Sequence, residues 1–346
     1  MAIVDVTIYG AGIFGLSVAW SCLKRGAKVR VIDPGGVGAG SSGGLVGALA
    51  PHVPERWNAK KAFQFDSLIM AEAYWAEVEA VSGLPSGYGR TGRLQPIADD
   101  RLLALAHDRK AEAKSLWQGK AMWEVRPITD FPGWAPDSAT GYLIHDTLTA
   151  RMNPRLAAKA LAGAVQAKGG EVASAADEEG RVVWATGWQG LLALSQELSK
   201  PVGNGVKGQS ALLQHDAAHL PQLFADALHI IPHANGTVAI GSTSERDFDD
   251  PASCDDALDD VIARAREVCP AIADAPVIER WAGVRPRAKS RAPMLGQYPG
   301  RPDHFIANGG FKIGFGMGPK VGEVMADLVL DGRDTIPEDF KVAASL

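Results

Sequence analysis

Apolar and polar positions alternate along the chain in short blocks, and their periods set the expected elements. Residues 3–9 form a brief apolar run of buried-strand length, followed by Gly10-Ala11-Gly12-Ile13-Phe14-Gly15. Residues 16–25 then read as a helix stopped by Gly26, and residues 28–32 as a second strand that ends at Asp33. A long helical period over residues 59–81 carries Phe63, Leu68, Met70, Tyr74, Trp75 and Val78, and Gly83 ends it. Residues 92–97 are strand-like, and residues 99–115 a charged helix. Asn153-Pro154 opens another helix, with proline at its first position, which runs to Lys168. Short strands are expected at residues 171–174 and 181–187, the second ending in Ala-Thr-Gly.

After Pro201 the period becomes that of strands. Residues 206–213 are one, and residues 228–232 and 237–242 form a hairpin about the Asn235-Gly236 turn. Residues 255–268 start with acids, as the helix dipole favours. A strand-like stretch at 281–286 and a strand at 304–307 precede a Gly-rich loop over 308–319, and a closing helix over 321–330 is capped by Gly332. The opening strand–helix–strand is doubly wound α/β, whereas the 84–143 segment and the 200s differ in composition and read as a second, β-rich unit. The expected class is therefore α/β, or α+β overall.

The opening block carries a specific chemistry. Gly10 allows a tight turn, Gly12 lets backbone approach a pyrophosphate, and Gly15 lets the helix pack close to the strand. The helix N-terminus offers free N–H groups to phosphates. Asp33, roughly 20 residues on, ends the next strand where an acid binds a ribose hydroxyl. Together these define a dinucleotide site. The small-residue run over 34–44 cannot form helix or strand, and its Ser41 and Ser42 suit phosphate contacts. Ala185-Thr186-Gly187, at the end of an apolar strand, is a second place where backbone approaches the cofactor.

Composition narrows the classes. The 346 residues suffice for two units, with 46% apolar and 22% charged residues, as in ordinary soluble proteins. A net charge of −5 gives no bulk attraction to nucleic acid. No apolar run is long enough to be a transmembrane helix, and a strand beginning at Ile3 leaves no room for a signal peptide. Cys22, Cys254 and Cys269 are scattered, which suits a reducing compartment, so a cytoplasmic protein is expected. His215 with His219, and His229 with His233, lack a third metal ligand, so no metal site is expected.

Several stretches together resemble the D-amino-acid oxidase superfamily of flavoenzymes, glycine oxidase most of all. These are the opening glycines, Asp33, Ser41-Ser42-Gly43, Ala185-Thr186-Gly187 and the terminal Gly-rich loop. Added to them are Val206-Lys207-Gly208-Gln209, Ile231-Pro232-His233-Ala234-Asn235-Gly236 with Gly241-Ser242-Thr243, and Trp281-Ala282-Gly283-Val284-Arg285-Pro286 with Pro293-Met294-Leu295-Gly296. The resemblance implies FAD, held non-covalently, since residues 285–296 contain no cysteine for covalent attachment. It implies a discontinuous FAD-binding unit (1–83, 144–200 and 285–346) and a substrate unit on an antiparallel sheet (84–143 and 201–284). It also places Gly47, Ala48, Val172, Ile313, Gly314, Phe315 and Gly316 at the cofactor.

The implied chemistry is oxidation of a small amine or amino acid, with hydride passing from the carbon next to nitrogen to flavin N5 to give an imine. The cofactor carries the difficult step, and the protein supplies position and field. Arg285 matches the family's carboxylate-binding arginine. His229 stands where glycine oxidase has a tyrosine, and Lys312 where it has a second arginine. His52 corresponds to a histidine near the flavin. Arg287, Lys289 and Arg291 replace small or acidic positions; they are either solvated surface or recognise a more acidic substrate. Two alternatives remain open at this point. One is a tRNA-modifying flavoenzyme acting on a carboxymethylaminomethyl group, with which the chain shares Gly47-Ala48-Leu49. The other is a non-catalytic flavoprotein. The sequence does not indicate an oligomeric state.

Overall fold

The computed structural model describes residues 4–346. The first strand is β1 (Val6–Tyr9), and Ile3, the expected start, lies outside the described residues. Helix α1 (Ile13–Lys24) begins at Ile13 rather than Leu16, so Gly15 falls inside it. Strand β2 (Val29–Ile32) pairs in parallel with β1, Val6 against Val29 and Tyr9 against Ile32. A short β3 (Ala48–Leu49) leads to α2 (Ala59–Ser82), whose ends follow from local chemistry. Asn58 accepts a hydrogen bond from the Lys61 amide, and Gly83 closes the helix in the left-handed region at φ 69°.

Next come β4 (Arg93–Pro96), α3 (Asp100–Leu116), β5 (Trp123–Pro127), β6 (Tyr142–Asp146) and β7 (Ala150–Arg151). The chain continues through α4 (Pro154–Ala167), capped by Asn153, then β8 (Glu171–Ala173), β9 (Arg181–Trp184) and α5 (Gly187–Glu197). The β-rich stretch holds β10 (Gly203–Gln214), β11 (Gln222–Ala225), β12 (Leu228–Pro232) and β13 (Thr237–Gly241). The last elements are α6 (Asp256–Val268), β14 (Val277–Ala288), β15 (Met294–Gln297), β16 (His304–Asn308) and α7 (Gly314–Asp331).

Two large sheets organise these elements. The first has six strands in the order β15-β16-β9-β1-β2-β8, all parallel except β15 against β16. It packs with α1, α2, α4 and α7 in one apolar core that includes Ile8, Leu16, Trp20, Trp75 and Leu161. Parallel strands need both faces covered, and the near-continuous apolar run of β1 reflects that. The second sheet has eight strands in the order β14-β10-β13-β12-β11-β4-β6-β5. It is antiparallel except for β11 beside β4, and α6 covers one face through Leu258, Val261 and Ile262. β6 and β14 lie whole in this sheet, so the expected boundaries at 144 and 285 each fall inside a strand.

The 308–319 loop is shorter than the sequence suggests, because α7 starts at Gly314 and contains Pro319. Its glycines serve helix–helix contact. A Cβ at Gly322 would lie 2.4 Å from the Ser17 carbonyl oxygen, and one at Gly318 2.9 Å from Ser17 Oγ. α1 and α7 can therefore approach closely only with glycine at these positions.

Candidate functional site

A cavity of about 920 Å³ reaches from the Gly-rich start of α1 to the face of the eight-stranded sheet. At its first end Gly10 has φ 107°, and a Cβ there would lie 2.3 Å from the Ala185 carbonyl oxygen. Only glycine fits between β1 and the Ala185-Thr186 backbone. A Cβ on Gly15 would lie 1.9 Å from the Gly10 carbonyl oxygen, which fixes how closely α1 sits on its strand. Asp33 accepts hydrogen bonds from the amides of Ala11 (2.8 Å) and Gly35 (2.9 Å) and lines the cavity. Ser42 Oγ accepts from the Ile13 amide at 3.0 Å, in the first turn of α1. Gly12, Ser41 and Thr186 complete this wall. The turn without Cβ atoms, the helix N-terminus and the strand-end acid fit a dinucleotide.

The middle of the cavity is lined by Gly47, Ala48 and His52 on one side and by Ile313, Gly314 and Phe315 at the start of α7 on another. Gln64 Oε1 accepts from the His52 amide at 2.8 Å and also pairs with its Nδ1. Partial burial lowers the pKa of His52, with a smaller contribution from Lys61.

The far end is cationic. Arg285 lies on β14, and its guanidinium crosses the neighbouring strand at Gly208, where a Cβ would come within 1.6 Å of Nη2. Nη2 donates to Ser242 Oγ (2.7 Å) and to the Thr243 carbonyl (3.1 Å), while Nη1 is buried without a protein partner among the described residues. Burial pushes the Arg285 pKa down to about 10, against the pull of Glu245. Behind it, Gln209 Nε2 donates to Glu245 (3.1 Å) and to Asp255 (2.7 Å), and the buried Lys207 lies 3.7 Å from Glu245.

His229, on β12, stands opposite Gly241 of β13, with its ring centroid 4.7 Å from that of Phe224. Its Nδ1 is buried with no protein partner among the described residues. Burial pushes its pKa down to about 3, helped by Arg93, then Lys312 and Arg285. It is therefore a neutral imidazole, with one nitrogen to donate and one to accept. Lys312 is exposed at this end, its Nζ 5.8 Å from the Phe311 ring centroid. Partial desolvation lowers its pKa, and Arg285 and Arg287 add to the effect.

The cavity wall thus gathers Arg285, His229, Lys312 and His52 with most of the expected cofactor positions. Four expected positions are not on it. Gly15 is inside α1 against Gly10, and Gly43 faces the Gly38 carbonyl, 2.4 Å from where a Cβ would stand. Val172 packs against the helical core from the edge strand β8, and Gly316 is buried toward Leu68. Arg287, Lys289 and Arg291 are not on the wall either: Arg287 lies over Phe311 and Lys289 donates to the Leu346 carbonyl. Sequence reasoning missed Arg93 and Phe224, both on the wall. The only available signal was an arginine within the short apolar strand that follows Gly92.

A dinucleotide turn on a parallel sheet is thus joined through one cavity to a cationic pocket on a second sheet, the layout of a dinucleotide-dependent enzyme with a site for an anionic ligand. The chain belongs to the FAD dependent oxidoreductase (DAO) family, which it matches over residues 5–328. Among curated proteins it is similar to the glycine oxidase of Pseudomonas aeruginosa, 27% identical over 368 residues that cover 96% of each chain. Among solved structures it is similar to glycine oxidase from Geobacillus kaustophilus (TM-score 0.82, 20% identity, 98% of each chain covered). It is also similar to the iminodiacetate oxidase of Chelativorans sp. BNC1 (TM-score 0.80, 21% identity, 97% and 98% covered). Among the described residues, no helix is long and apolar enough to cross a membrane.

Proposed function

We propose that the protein oxidises a small amine or amino acid at the carbon next to nitrogen, releasing an imine that water hydrolyses. The observation that carries this reading is the buried Arg285, whose Nη1 has no protein partner at the cavity end remote from the Gly10 turn. A substrate carboxylate would supply that partner and return a charge-assisted hydrogen bond to a desolvated cation. Bound FAD supplies the hydride acceptor.

The remaining roles belong to the chain. Arg285 orients the substrate through its carboxylate, and Ser242 and the Thr243 carbonyl hold the guanidinium in place. Neutral His229 offers a hydrogen bond to the amine without adding a charge. Phe224 and Phe311 exclude water and, by desolvation, favour the neutral amine, the form able to release hydride. The α7 N-terminus lines the cavity and favours negative charge on a bound group. FAD is taken to bind non-covalently, in a unit built from residues 1–83, 144–200 and 285–346. The strand boundaries favour assigning all of β6 and β14 to the substrate unit.

The test is anaerobic mixing of the FAD-loaded protein with glycine, sarcosine, proline and D-amino acids. Bleaching of the flavin by at least one is expected. In Arg285→Ala, kcat/KM for that substrate should fall by about 100-fold. Full activity in this variant would remove the carboxylate assignment.

A further inference from the structure

We infer that the substrate carries a second carboxylate and that Arg93 receives it, so that the ligand class is an amine bearing two carboxyl groups. This deepens the reading of amine oxidation at the same site and rests on it. Arg93 belongs to neither the opening dinucleotide motif nor the Arg285 strand; it comes from β4, in the other half of the eight-stranded sheet. Its side chain is only 7% exposed, yet it lines the cavity. Asp146, fully buried, accepts from its Nε at 2.9 Å and also from the Thr149 amide. Its two Nη nitrogens have no protein hydrogen-bond partner among the described residues. The guanidinium carbon lies 5.9 Å from the centroid of Phe224, whose ring in turn leans on His229.

The strand order sets the spacing. Arg285 reaches over β10, and β13, β12 and β11 separate β10 from β4. Adjacent strands are about 4.8 Å apart, so the two arginines start from opposite flanks of the His229–Phe224 pair. A molecule gripped at both ends would lie across His229 with its nitrogen in the middle. The guanidinium of Arg93, held by Asp146 on its Nε edge, leaves its Nη pair for a two-point contact with a carboxylate. Lys312, exposed and next to Arg285, serves the first carboxylate instead.

The test uses two pairs of compounds on the FAD-loaded protein. Iminodiacetate and sarcosine are amines with two carboxylates and one. Thiodiacetate and methylthioacetate are their unreactive sulfur counterparts. We expect kcat/KM for iminodiacetate to exceed that for sarcosine by about 10- to 100-fold, and calorimetric Kd values for the sulfur acids to show the same preference. Arg93→Gln should bring both ratios close to one, chiefly through KM. Because that variant leaves Asp146 buried without a partner, Arg93→Gln/Asp146→Asn is measured beside it. Equal binding of the two sulfur acids by the unaltered protein overturns the inference. So does an undiminished preference in the folded double variant. If sarcosine bleaches the flavin and iminodiacetate does not, the inference fails and amine oxidation stands. If no amine acid bleaches it, the reading of the site itself fails.

Discussion

His229 shows how one buried side chain ties the site to the stability of the whole chain. Its folded pKa is depressed to about 3 by burial and by the facing Arg93, Lys312 and Arg285, while an unfolded histidine titrates near 6.5. Below about pH 6.5 the unfolded chain therefore binds a proton that the folded chain refuses. The stability contribution is complete above the unfolded value and is lost as pH falls from there toward 3. His233 behaves alike: burial brings it down to about 4, while its Nε2 pairs with the Leu45 carbonyl. Each such histidine contributes a slope of up to ~1.4 kcal/mol per pH unit inside its window. Melting temperatures measured from pH 7 down to pH 5 should fall, and should fall less in His229→Gln. An identical pH dependence in that variant would show that His229 is not held neutral.

At the scale of elements, the long β10–β14 ribbon positions the substrate arginine. Gly208 pairs with Gly283 across it, and the absence of a side chain at Gly208 opens the path for Arg285. Gly208→Ala would place a methyl group where Nη2 now lies, so the guanidinium must leave Ser242. We expect kcat/KM to drop by about 10- to 100-fold, with KM rising and the melting temperature changing little, because a strand accepts alanine. A KM unchanged in the folded variant would mean that Arg285 does not hold substrate from this position. The same ribbon shows what the sequence made legible. β1, α1, β2 and Asp33 could be read because each lies within a few residues of its partner and glycine spacing encodes the turn. The hairpin at Asn235-Gly236 was readable for the same reason. α7 was read too short because its glycines look like loop residues locally; the demand for them comes from Ser17, some 300 residues away in the chain. Arg93 was missed for a related reason. Its meaning depends on β4 joining β11 in parallel, a pairing that nothing in residues 92–97 announces.

Over the whole molecule, the cavity is the place where the two sheets meet chemically. Gly10, Asp33 and Ala185 come from the first sheet and its loops, and Ser210, His229 and Arg285 from the second, yet all line one wall. A ligand that touches both must stabilise both, by RT ln(1 + [L]/Kd) for a native state that alone binds it. FAD at 100 times its dissociation constant would add about 2.7 kcal/mol. Because the added free energy is shared, the FAD-loaded protein should unfold in one calorimetric transition whose midpoint rises with FAD concentration. The cofactor-free chain has only the protein contacts between its sheets to couple them, so its transition should broaden or divide. The Gly10→Ala variant separates cofactor from scaffold: its Cβ would meet the Ala185 carbonyl oxygen at 2.3 Å in the dinucleotide turn, while the eight-stranded sheet is untouched. In that variant the dependence of the midpoint on FAD should be lost. Two transitions in the loaded protein, with only the first moved by FAD, would show that the cofactor binds the first sheet alone and that the shared wall does not couple the units.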